Sequence, residues 1–91
     1  MKAVWKFPLR LSLGPVEHVV EMPGGAEVLH VGVQGGDPTL WALVDPDKTV
    51  GESRTFRLVG TGHREVGSGM RFVGTALVSE SFVLHVFEVS S

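Results

Sequence analysis

Apolar residues recur at short intervals along this chain, and no stretch of about 10–12 residues keeps the 3.6-residue apolar spacing of a helix. Valine is abundant, and Gly and Pro break the chain repeatedly, which is the pattern of short strands joined by tight turns. Seven strands are predicted: Lys2–Phe7, Val16–Met22, Glu27–Gln34, Thr39–Val44, Arg54–Gly60, Arg71–Val78 and Phe82–Val89. Alternation puts Ala3, Trp5 and Phe7 on one face of the first. It sets Leu29, Val31 and Val33 against Val28, His30 and Gly32 in the third, and turns Phe56 and Leu58 inward in the fifth. The most helix-tolerant segment, Leu9–Leu13, is bracketed by Pro8, Gly14 and Pro15.

The turns are read from Pro23-Gly24-Gly25, Gly35-Gly36-Asp37-Pro38, Asp45-Pro46-Asp47 and Ser79-Glu80-Ser81. Frequent turns without helices predict an all-β fold: a small antiparallel β-sandwich or barrel of about seven short strands, forming one domain over residues 1–91. The fourth, sixth and seventh strands are apolar on both faces. In the fourth, Leu40, Ala42 and Val44 oppose Trp41 and Leu43. Such strands need cover on two sides, and a small sandwich leaves one side bare, so a homo-oligomer is expected. The repeated Val-Leu-His-Val and Val-Gly-Thr phrases share no common period and are read as chance.

Composition narrows the chemistry. The chain has 43% hydrophobic and 20% charged residues, a globular balance. With no cysteine, disulfides, thiolate metal sites and cysteine nucleophiles are excluded, which fits a reducing cytoplasm. Met1–Phe7 carries two lysines with no long apolar stretch behind them, so no secretory signal is expected. No apolar run approaches the roughly 20 residues of a membrane span. The net charge of −2 gives no strong nucleic-acid signal. Between Ser53 and Thr75, however, four arginines face one glutamate.

That local excess frames the leading candidate site. Gly60-Thr61-Gly62-His63-Arg64 joins two glycines, a hydroxyl and two basic side chains, and such a loop can turn backbone N–H groups toward an anion. Arg54 and Arg57 lie just upstream, and arginine suits bidentate recognition of phosphate. Trp41, on a face shared only with Leu43 and Asp45, is the candidate for stacking a base. The ligand set is therefore Arg54, Arg57, Gly60, Thr61, Gly62, His63, Arg64 and Trp41. The ordinary alternative is a glycine-rich connection with solvated arginines.

The other candidates are thinner. His18, His30, His63 and His85 lack a spacing that sets two on one face, so no metal is expected, although His30 and His85 are candidates for pairing across strands. Thr61 with His63 is the only local hydroxyl–base pair, and no third group is indicated. No catalytic residue and no cofactor are expected.

Several phrases carry a resemblance: Val4-Trp5-Lys6-Phe7-Pro8, Met22-Pro23-Gly24-Gly25-Ala26, Leu40-Trp41-Ala42-Leu43-Val44-Asp45-Pro46, Arg54-Thr55-Phe56-Arg57, Gly60-Thr61-Gly62-His63 and His85-Val86-Phe87-Glu88. Over nearly its whole length the chain resembles a family of short uncharacterised proteins of bacteriophage and prophage genomes. The resemblance implies a phage-encoded single domain in the cytoplasm of an infected host cell. It brings no activity and no catalytic residue. By class, such proteins include binders of host signalling nucleotides, inhibitors of host defence and virion accessories. The expected function is a non-enzymatic binding module that sequesters an anionic small molecule such as a host nucleotide signal. The alternative is a structural or protein-interaction module acting through an apolar sheet face.

Overall fold

The computed structural model describes residues 1–13 and 16–90, so the stop expected at Gly14-Pro15 lies outside the described residues. Seven strands form: β1 (Ala3–Pro8), β2 (Glu17–Pro23), β3 (Glu27–Gln34), β4 (Asp37–Val44), β5 (Gly51–Gly60), β6 (Met70–Ser79) and β7 (Phe82–Val89). A 3₁₀ turn, Leu11–Leu13, follows β1. All strand pairs are antiparallel and make two sheets, ordered β1-β4-β3 and β2-β5-β7-β6. The fold is all-β and sandwich-like, and β3 and β7 have their predicted bounds.

Three strands start earlier than predicted, β6 by one residue at Met70 and β4 and β5 by more, each because a neighbour is there to pair. β4 begins at Asp37, because Gly35 and Gly36 (φ 61° and 83°) close a two-residue hairpin that sets Gln34 opposite Asp37. Pro38 argues against a central strand. It is tolerated because β1 pairs only as far as Thr39, and there the Leu9 N–H reaches the Pro38 carbonyl at 2.8 Å. β5 begins at Gly51, because β2 continues to Pro23 and supplies its partner.

The core fills the space between the sheets. Leu40, Ala42 and Val44 of β4 face Phe56 and Leu58 of β5 and Leu84 and Val86 of β7, with Leu9 closing one side. Phe56 and Leu58 point inward as predicted. The expected alternation in β3 is broken by a bulge between Val28 and His30. The extra residue changes the phase, so Val28, Val31 and Val33 pack on the core while Leu29 stands 49% exposed on the outer face. Trp5 shares its strand face with Phe7 but is 42% exposed at the sheet edge, so it is not the core residue that a strand tryptophan usually is.

The sheets pinch together where β3 meets β6. A Cβ placed on Gly74 would lie 2.8 Å from both Cβ and Cγ2 of Val31. Only a residue without a side chain allows this approach. At the other side, β5 and β6 both pair with β7, so they run parallel to each other. Residues 61–69 must therefore return from the Gly60 end of the sheet to the Met70 end.

Candidate functional site

The Gly60–His63 segment folds as a β-turn. The His63 N–H donates to the Gly60 carbonyl at 3.1 Å, and Gly62 alone of the two central residues has positive φ, at 88°. That is type II geometry. It commits the His63 N–H to the turn rather than to a nest of donors aimed at one point. Thr61 is not paired with His63. Its hydroxyl lies 2.8 Å from Nε2 of His85 on β7, and His85 Nδ1 lies 3.1 Å from the Thr75 hydroxyl on β6. His63 instead sits 3.3 Å from Glu65. His85 and His30 are on different sheets and do not pair; the His30 ring lies 6.0 Å from Trp41, tilted by 40°.

The arginines part company because consecutive residues of a strand alternate sides. Arg54 shares the inward phase of Phe56 and reaches Glu88 through two bonds, Nε to Oε2 at 2.7 Å and Nη2 to Oε1 at 2.8 Å. Its Nη1 donates to the Ala26 carbonyl at 2.6 Å, which ties one sheet to the start of the other. The guanidinium also lies 5.8 Å from the Phe56 ring centroid. Arg71 donates to the same Glu88 Oε1 at 2.8 Å. The Arg54 hydrogen bond holds the Glu88 carboxyl below the usual carboxylate range against the opposing effect of burial, with both arginines adding Coulombic support.

Arg57 points to the other side of β5. It binds Glu17 of β2, donates to the Glu65 carbonyl at 3.1 Å and approaches the Met70 sulfur at 3.6 Å. These bonds clamp the returning 61–69 segment onto the outer face of the sheet. Arg64 is exposed and has no partner among the described residues. The structure thus keeps Gly60, Thr61, Gly62 and His63 together in one turn, and sets Arg54, Arg57, Arg64 and Trp41 at separate places.

Three concavities among the described residues bear on the site. One, of about 820 Å³, is an open groove at the end of the sandwich where β5, β6 and β7 meet the β2–β3 turn. Glu52, Arg54, Gly69, Arg71, Glu88 and Ser90 line it. An apolar slot of about 350 Å³ and a hollow of about 360 Å³ lie at the opposite, Gly60 end. Arg71 is the residue that the candidate set missed; the arginine excess between Ser53 and Thr75 was its signal. No three His, Asp or Glu side chains converge as metal ligands among the described residues. No helix among them is long and apolar enough to cross a membrane.

The sequence model of a family described as a domain of unknown function, DUF7352, matches residues 1–91, the whole chain. The chain belongs to this family. Searches of curated proteins and of solved structures find no match to it.

Proposed function

We propose that this DUF7352 domain is a non-enzymatic binding module that takes an anionic small molecule in the Arg54–Arg71 groove. The observation that carries this reading is the position of Arg71. Its side chain is 70% exposed in the groove, and it gives one bond to Glu88. Arg54 has all three nitrogens engaged, so its part is to hold Glu88 and join the sheets. Two arginines and two carboxylates, Glu88 and the half-exposed Glu52 3.9 Å from Arg54, balance in formal charge along the groove, so what it offers an anion is the exposed Arg71 guanidinium. The groove volume falls within the roughly 300–1,000 Å³ of small-molecule sites. The resemblance to phage and prophage proteins supports a phage-encoded protein in the host cytoplasm, where signalling nucleotides are anionic ligands of this size.

The test is a thermal-shift screen against cyclic and ADP-ribose-type nucleotides. A ligand at about 100 times its Kd adds roughly 2.7 kcal/mol. For a domain of this size that raises Tm by about 10 °C or more. Arg71→Ala is expected to abolish the shift while leaving the unliganded Tm within a few degrees, because Arg71 is exposed and Arg54 keeps Glu88. A panel without any shift defeats the reading.

The outer face of the β1-β4-β3 sheet supports a second reading, self-association. The register sets Val4, Leu43 and Glu27 in one row and Lys6, Trp41 and His30 in the next. Val4 is 56% exposed, and the bulge adds Leu29. Lys6 and Glu27 occupy opposite corners of this apolar patch, so a two-fold axis in the sheet plane lays Lys6 of one copy over Glu27 of a second. Sedimentation is expected to show a dimer that Lys6→Glu weakens and Lys6→Glu with Glu27→Lys restores. A monomer at all concentrations contradicts it.

A further inference from the structure

The Gly60 end of the sandwich carries a cavity that the anion reading does not use. Its floor is the core itself: Leu58 and Leu84 face inward and are nearly buried, yet both line the slot. Two features of the chain leave it open. The inward positions of β5 run Phe56, Leu58, Gly60, so the third contributes no side chain where it sits opposite Leu84. In addition, β2 stops pairing at Glu17 opposite Arg57, and beyond that point β5, still paired with β7 on its other edge, is held on the β2 side among the described residues by the Leu58 N–H to the Val16 carbonyl at 2.8 Å. The resulting slot of about 350 Å³ has walls of Leu11, Val16 and Phe82, with His63 and Glu65 at its rim.

A second hollow, about 360 Å³, adjoins it and shares Gly60, His63 and Phe82. Its chemistry is different: the Thr61 and Ser81 hydroxyls and the Glu80 carboxylate line it. An apolar pocket that opens onto a polar, acidic one matches a molecule with a ring or short chain at one end and a charged head at the other. The residues that line the two hollows include the Glu65 and Glu80 carboxylates and no lysine or arginine, so the complementary head is cationic. The slot is too small for more than about one ring with its linker, at the lower bound of ligand-site volumes.

We infer that the Gly60 end is a binding site for a small aromatic or short-chain amine, its apolar body between Leu58, Leu84 and Phe82 and its ammonium group toward Glu65 and Glu80. The site is independent of the anion groove at the opposite end of β5.

Phenethylamine and phenylacetate, which share a ring and differ in the sign of the head, are the probes, read by amide NMR titration of the intact chain. The expected result is saturable shifts of Leu58, Gly60, Phe82 and Leu84 with phenethylamine, and binding of phenylacetate at least tenfold weaker. Glu80→Gln is expected to weaken the amine several-fold. Gly60→Leu fills the slot, since its first new atom meets only the movable His63 ring at 3.2 Å, and is expected to abolish binding with the remaining spectrum intact. If Gly60→Leu unfolds the chain, Phe82→Ala, at an exposed position, serves as the second variant and is expected to weaken binding at least fivefold. Equal binding of the two probes, shifts that map elsewhere, or full binding after these changes overturns the inference. Arg71→Ala leaves amine binding unchanged, which separates the failure of this site from failure of the anion groove.

Discussion

Replacing Gly74 by alanine is expected to destabilise the domain by about 2–3 kcal/mol, in the upper part of the range for overpacking a filled core. The sign is the point, because the same change in an open strand usually stabilises by reducing the freedom of the unfolded chain. Gly74 has no positive φ, so backbone strain is not the cause. The cause is Val31, whose Cβ and Cγ2 both lie 2.8 Å from the position the new methyl takes. Cβ cannot rotate away, so β3 and β6 must separate and loosen the contact between the sheets. For a domain of about this size the loss lowers Tm by roughly 10–20 °C. A Val31→Gly background removes both contacting atoms, and there Gly74→Ala is expected to be neutral. Urea or thermal melts of the four chains measure the coupling; equal costs in both backgrounds would show that the sheets do not meet at Gly74.

Glu88→Ala is expected to cost about 2–3 kcal/mol. Removing one partner of a fully buried pair costs about 3–5 kcal/mol because the other charge is left uncompensated. Here Arg54 and Glu88 retain 14% and 16% exposure, so the lower figure applies. Without Glu88 the two arginines face each other, and the Ala26 bond loses the group that orients Arg54. The pH dependence follows from the same geometry. Glu88 is held below the usual carboxylate range when folded. Its contribution is therefore fully present above the unfolded value of about 4.3 and is lost as pH falls through the lower folded value. The Tm gap between the wild type and Glu88→Gln is expected to be constant from pH 7 to about 5 and to shrink below about 4. A gap that stays constant into acid would mean that Glu88 is not held by Arg54.

These two sites mark how far the sequence can be read. Local signals carried the strands: the Gly-Gly and Pro-Gly turns set β3, and the inward faces of Phe56 and Leu58 followed from alternation. The bulge at Val28 and His30 was not legible, because a bulge depends on the partner strand β4. The arginines were legible as a cluster but not as a site. Their partners, Glu88 for Arg54 and Glu17 for Arg57, lie 34 and 40 residues away in the chain. Likewise, Thr61 found its base in His85, 24 residues on, rather than in the neighbouring His63. Two arginines three residues apart on a strand must point to opposite sides, which in itself argues against one site holding both Arg54 and Arg57.

Anion binding at the Arg71 end of the sandwich is tested most directly by an amide NMR titration of the intact chain with the nucleotide giving the largest thermal shift. Binding in the groove predicts that Gly25, Gly69, Arg71, Glu88 and Ser90 move together on one saturation curve, with Thr61 and His63 unmoved. Shifts centred on Gly60–Arg64, or none at all at a concentration that saturates the thermal shift, would contradict it.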